Sequence, residues 1–372
     1  MSPLSLPGRP KGECRSAKHE GTLMNATVEV VSPGALSTIQ DLGRPGWRRH
    51  GVPACGVLDP ALLRIANVLA GNAESAAAIE FFVAGPTLKA IDEPVQLGCA
   101  GDYPLTLVRA NGERTQLDGW RSVTLWPGDT LRAGAPRTAR AGVLAVHGLV
   151  VPRVLGSAST YTRAQFGGHG GRALAAGDKL SASAGPLKAG RVPTEQLLRR
   201  PQAPERGAIR VVLGPQADHF DAGALEAFFA GEYQVSAEAD RMGVRLLGPA
   251  LLHNKKGSEI VSDATVPGSI QVPGNGQPIV LLADGQTAGG YPKIATVISA
   301  DLPRLAVAAV GALLRFEPVT VAQAEALARD REAVLRRLLS SIEPLTLDGD
   351  VDLLALYNGN LVSGIIDAFD PQ

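Results

Sequence analysis

The 372-residue chain has little cysteine, few aromatic side chains and no surplus charge of either sign. Its three cysteines, Cys14, Cys55 and Cys99, stand in unrelated contexts. An odd, scattered count argues against a disulfide framework and fits a reducing cytoplasm. Lys and Arg together number 36, and so do Asp and Glu. With no net field there is nothing to draw in nucleic acid or an anionic membrane surface. Aromatics make up only 4% of the chain, which leaves little surface for base stacking. No apolar run reaches the ~18 residues of a membrane span. The six histidines, at positions 19, 50, 147, 169, 219 and 253, never fall at spacings that place two metal ligands on one face. No metal site is expected.

Several chemical signatures are missing too. Gly-Lys never occurs, so there is no phosphate-binding loop of the Gly-x-x-x-x-Gly-Lys type. There is no Met-Lys-Met biotin attachment site and no Gly-x-Ser-x-Gly elbow, since Gly156-Ser157-Ala158-Ser159-Thr160 lacks the last glycine. Nor is there the Gly/Ser-rich loop of amidases. The chain alone is therefore expected to be catalytically inert.

What is present reads as mainly β. Short Val/Ile/Leu runs are broken at regular intervals by 43 Gly and 27 Pro. Four helices have clear signals. Asp59 is an N-cap before Pro60, with Gly71 just past the end; a second helix runs from Asp221 to Gly231 and a third from Asp301 to Gly311. The fourth starts at Thr320, whose hydroxyl can form a capping box with Gln323.

Residues 1–25 are basic, rich in Pro and Gly and without apolar periodicity, so they read as a disordered extension, with Met24 as an alternative start. Two globular units follow, at 26–190 and 208–318, joined by a Pro- and Arg-rich linker at 191–207. The rest, 319–372, is the fourth helix and a tail whose Val351, Leu353, Leu354, Leu356, Leu361 and Val362 are too apolar for a solvated end.

The densest concentration of polar residues among glycine turns lies between Val266 and Val297. If Ser269 to Val272 pairs with Ile279 to Ala283 across a Pro273 to Pro278 turn, Gln271, Asp284 and Gln286 come from exposed strand ends lying side by side. Thr287, Tyr291 and the backbone of Gly289 and Gly290 are next to them. The same stretch can equally be a tight hairpin in a barrel. In the first half, Arg44 offers a planar fork for an anion and Asp41 can orient it, or the two simply pin their loop. Asn67 either holds a loop or meets a ligand, and Arg241 reads as a corner salt-bridged to Asp240.

Together these segments resemble the family that includes allophanate hydrolase subunit 2, the C-type component of 5-oxoprolinase and the carboxyltransferase domain of urea carboxylase. The resemblance rests on Gln40-Asp41-Leu42-Gly43-Arg44-Pro45-Gly46, on Asp59 with Ala66-Asn67, on Glu80 with Gly85-Pro86, on Val154-Leu155-Gly156-Ser157, Gly167-Gly168 and Gly177-Asp178, and on Gly214-Pro215-Gln216 and Asp240-Arg241-Met242-Gly243. It runs from about Val28 to Phe316. It implies two cyclophilin-like β-barrel domains with a few short helices and a C-terminal helix.

It also implies a subunit of an ATP-dependent 5-oxoprolinase, working with a kinase-inhibitor-like partner (allophanate hydrolase subunit 1-like) and a third subunit. ATP would be used by the complex. The alternatives are a biotin-dependent carboxyltransferase, with biotin on a separate carrier, and a non-enzymatic regulator that binds a kinase inhibitor. On this reading Asp284, Gln286, Gln271 and Tyr291 are catalytic. Gln40, Asp41, Arg44, Asn67, Arg241, Thr287, Gly289 and Gly290 bind substrate. Ala158 and Gly285 stand where the family usually has arginine, which removes anion contacts.

Overall fold

The computed structural model describes residues 25–183, 195–199 and 207–345. The N-terminal extension, most of the expected linker and the apolar tail lie outside the described residues. The first unit is built from two facing sheets. One has the spatial order Lys179–Ser183, Asn25–Ser32, Thr87–Ala90, Thr130–Ala133, Pro104–Val108 and Arg114–Asp118. The other runs Leu36–Gln40, Ala78–Phe82, Ala141–Val146, Val95–Ala100, Arg121–Leu125, Gln196–Leu197 and Glu343–Pro344. Strands such as Thr87–Ala90 and Pro104–Val108 alternate buried and half-buried positions, as the period of two requires. Val28, Leu88, Leu97, Leu105, Leu131 and Leu144 meet in the core between the sheets.

Ala141–Val146 is buried along its whole length because both of its faces are covered. Leu144 and Val146 point into the barrel, whereas Val143 and Ala145 meet helix α1 (Pro60–Leu69) on the outside. The α1 start is as the sequence signals it: the Asp59 carboxylate accepts from the Ala61 N–H at 2.9 Å, with Pro60 in the first turn. The helix sits so close to the sheet that a Cβ on Gly98 would lie 2.0 Å from the Ala66 carbonyl oxygen. Cys99, next to it, is a fully buried core thiol.

The second unit is an eight-stranded sheet, in the order Leu313–Leu314, Tyr233–Val235, Gly243–Leu247, Ile279–Leu281, Ser269–Gln271, Lys293–Val297, Ile209–Leu213 and Phe316–Pro318. The expected hairpin forms, with Ile270 opposite Val280 and Gln271 opposite Ile279. Helix α2 (Ala222–Ala230) is capped by Asp221, and its Phe228 stacks on Phe316 at 4.8 Å between centroids. Helix α3 is only Leu302–Ala306, shorter than the sequence suggests. Its last carbonyls are diverted: Ala306 O accepts from the Arg140 guanidinium and Val307 O from the Arg140 N–H.

Helix α4 (Val321–Ser340) opens with both halves of the Thr320 and Gln323 capping box and packs Leu335 against α1. Within the expected linker, Gln196–Leu197 continues the sheet beyond Arg121 and pairs on its other side with Glu343–Pro344. The reason is local: Leu198 is buried and Glu195 pairs with Arg121.

The packing sets two stability outcomes. Gly98→Ala forces α1 off the sheet and is expected to cost about 1–3 kcal/mol, the usual range for overpacking. Thr320→Ala removes an exposed cap and is expected to cost about 1 kcal/mol. Urea melts of the two variants against the parent check both values.

Candidate functional site

The loop between Gly43 and Leu58 leaves the first barrel and bonds directly to the second. The Cys55 N–H donates to Ala283 O at 3.0 Å, and Arg48 Nη2 donates to Thr265 O at 2.8 Å and Gln286 O at 2.9 Å. Returning the contact, Arg241 Nη2 donates to Gly56 O at 2.6 Å. The polar residues singled out in the two halves are thereby brought to one inter-barrel seam.

Arg241 is the centre of that seam. It is 7% exposed and grips Asp284 in a fork, Nε to Oδ2 at 3.0 Å and Nη2 to Oδ1 at 2.9 Å, while Nη1 donates to Glu80 Oε2. The sequence reading of a corner paired with Asp240 is corrected here. Asp240 instead turns its carboxylate to the N–H groups of Met242 and Gly243. Asp284 is likewise no exposed strand end, being 4% exposed and ion-paired. Burial works to lower the Arg241 pKa, but Asp284 and Glu80 outweigh it and hold the guanidinium above its ordinary value. Burial raises the Glu80 carboxyl despite the pull of Arg241 and of the Leu58 N–H.

Cys55 stands beside this group with a left-handed backbone, φ 53°. Burial first, then the Asp284 charge, push its thiol up to about 12, so it is a neutral donor near Asp284 and not a thiolate nucleophile. Tyr161 is raised for the same reasons: burial, then Cys55 and Asp284. Its phenol stays protonated.

Asp41 and Arg44 do not pair as expected. The Asp41 carboxylate accepts from the Ser157 and Ser159 hydroxyls, the Ala158 N–H at 2.7 Å and the Gly43 N–H at 2.8 Å. With four donors of its own it has no lone pair to spare for a guanidinium. Arg44, 1% exposed, instead donates to Ser159 O and stacks on Phe166 at 4.9 Å. Ala158, where the family arginine is missing, is 4% exposed against the same web. Gln40 is fully buried and donates to Thr38 and Thr160 O. Asn67 takes the structural option, donating to Glu74 O and Ala76 O to hold the loop after α1.

In the second barrel, Gln286 Nε2 donates to Gln271 Oε1 at 3.0 Å. The Gln271 amide lies against Gly289, where a Cβ would come within 2.4 Å of Nε2. Gly290 is different. It has no left-handed φ, and a Cβ there would meet nothing nearer than 3.4 Å, so an alanine fits. Thr287 offers its carbonyl to the Thr265 N–H. Tyr291 is 41% exposed and lies outside this network.

Six buried side-chain polar atoms among the described residues have no hydrogen-bond partner, and four belong to this seam: Gln40 Oε1, Arg44 Nη1, Arg48 Nη1 and Gln271 Nε2. Three are donors and two of those are cationic. Buried donors left unmade are costly, so such a set suits a ligand carrying anionic or carbonyl oxygens.

Arg48, Cys55, Glu80 and Tyr161 were not among the expected site residues. Glu80 had a signal, a lone carboxylate inside the apolar strand Ala78–Phe82, all of whose positions are buried. Cys55 had none.

Because Arg241 is buried, Glu80→Ala is expected to cost about 3–5 kcal/mol by leaving its charge uncompensated, with Glu80→Gln milder. Chemical denaturation of both variants measures this. Cys55 should stay unmodified by iodoacetamide at pH 8 in the native protein and react once it is unfolded, as read by peptide mass spectrometry.

The family model for the carboxyltransferase domain, subdomain A and B, matches residues 50–318. The C-type component of the Haemophilus influenzae 5-oxoprolinase is 35% identical over 316 residues, covering 84% of this chain and 97% of that protein. Its Escherichia coli counterpart of the same name is 34% identical over 318 residues, with the same two shares, 84% and 97%. The crystal structure of the K. lactis urea amidolyase superposes with a TM-score of 0.73 at 27% identity, over 88% of this chain but only 21% of that one. By the family match and by relatives similar along nearly their whole length, the chain belongs to the carboxyltransferase domain family, subdomains A and B.

Proposed function

We propose that the protein is a subunit of a multi-component, ATP-dependent 5-oxoprolinase that opens the lactam of 5-oxoproline to glutamate. The observation that carries this reading is the match to 97% of each of two proteins named as the C-type component of a 5-oxoprolinase. Urea amidolyase, in contrast, contains a counterpart of this chain as about a fifth of its length.

Resonance makes a lactam carbonyl a poor electrophile. ATP, used by the complex, supplies a phosphoryl group that activates the lactam oxygen, and water can then attack the carbon. This chain lacks a phosphate loop, so ATP binding is assigned to another subunit. Here Arg44 Nη1, Arg48 Nη1 and Gln271 Nε2 hold the anionic oxygens of the substrate, replacing the hydrogen bonds they lack. Asp284, fixed from behind by Arg241, has a free lone pair on each oxygen with which to orient the attacking water or take its proton. Gln271 with Gln286, and protonated Tyr161 at the edge, face charge that develops on oxygen. The assembly, in the cytoplasm, is made up by a kinase-inhibitor-like protein and a third subunit.

The family model itself favours a second reading, a carboxyltransferase that receives carboxybiotin from a carrier on another chain. A ureido carbonyl is served by the same donors.

The test is ATP-dependent turnover of 5-oxoproline by the assembled complex. The isolated chain should show none. Asp284→Asn, shown by a thermal melt to fold, should lower the rate of the complex by ~10²–10⁴-fold, the usual contribution of an acid-base group. Gly289→Ala should displace the Gln271 amide and raise KM as well. Parent-like rates in both variants would rule out this seam as the active site, while carboxyl transfer from carboxybiotin without lactam opening would favour the second reading.

A further inference from the structure

The family match ends at residue 318, whereas α4 starts at Val321 and the chain continues to residue 372. Helix and tail are both additions to the matched region. Along its first turns α4 rests on the second barrel through small side chains, Ala324 and Ala328, one turn apart. Two alanines cannot fill the space above a sheet. They leave a cleft of about 200 Å³, walled by Val212, Val297, Ile298 and Val321. That exceeds the ~150 Å³ of an apolar cavity able to take a benzene-sized guest. Val297 and Ile298 on its floor are 3% and 5% exposed, yet Val321 on its rim is 59% exposed. The walls suit an aliphatic occupant.

The sequence provides one at the right reach. Past α4 the chain turns into Glu343–Pro344, which is tied to the sheet edge, with the Leu345 N–H donating to Glu195 O at 2.8 Å. From there to the cleft is most of the length of α4, roughly 20–28 Å at ~1.5 Å per residue. A chain advancing at most about 3.3–3.6 Å per residue needs about 6–9 residues to cover it. Counting from Leu345, that brings residues 351–354 to the cleft. This is where the apolar run Val351, Leu353, Leu354, Leu356 begins.

We propose that the segment 351–356 of the same chain runs back along α4 and fills this cleft, closing α4 onto the second barrel. Such closure is independent of the reaction assigned to the inter-barrel seam. It gives the apolar tail a cis partner and makes α4 a strap held at both ends.

A double-mutant cycle in the full-length chain tests it. One variant carries Leu353→Asp with Leu354→Asp, and the other carries Val321→Asp on the exposed rim. Each is expected to lower Tm by about 2–4 °C, the shift for ~1 kcal/mol in a large domain. Each should also speed hydrogen exchange in the first two turns of α4. The combined variant should be no worse than either alone, because both remove one contact. Strictly additive losses, or unchanged exchange in α4, would overturn the proposal. So would light scattering that shows a parent dimer reduced to a monomer by the tail variant, since the occupant would then be a second copy.

Discussion

One guanidinium joins the two barrels. Arg241 comes from the second barrel, takes Glu80 from the first and Asp284 from its own, and reaches across to the Gly56 carbonyl. Removing three charges from water is expensive, and only a planar fork with several donors aimed at once can offset that cost. The arrangement is discrete. A small shift of one barrel would break a fork and leave a buried carboxylate uncompensated. The relative position of the barrels, the place of Asp284 and the path of the loop through Gly56 are all tied to that one side chain.

Next to this satisfied group is an unsatisfied one. Arg44 is held by Ser159 O and the Phe166 ring, and Arg48 by Thr265 and Gln286, yet each keeps a donor without a partner. Burial lowers the Arg48 pKa, with Cys55 working against the shift. Protonated Cys55 and the serine web around Asp41 add rigidity without adding negative charge that could quench the arginines. The seam therefore separates two tasks: paired charges hold the barrels, and unpaired cationic donors face the ligand.

Much of the fold was legible because its signals are local. Asp59-Pro60, Asp221, and Thr320 with Gln323 fix helix starts within three or four residues, where backbone N–H groups and side-chain oxygens are already neighbours. The hairpin of Ile270 and Val280 likewise follows from a turn and two short runs. Where a distant residue intervened, the reading failed. α3 stops early because Arg140, from the other barrel, takes its last carbonyls.

The site divides the same way. Residue order alone set which chemical groups are available: glycine turns beside Gln271, Asp284 and Gln286, and an arginine loop after Gln40. It also identified the family through motifs that are contiguous in the chain. Their partners were chosen by the folded arrangement. Asp41 went to serines more than a hundred residues away, and Arg241 chose Glu80 and Asp284 over its neighbour Asp240. Cys55 became part of the site only because its loop crosses to Ala283. Ion pairing and burial depend on distance in space, and spacing along the chain does not set that distance until the two barrels have closed on each other.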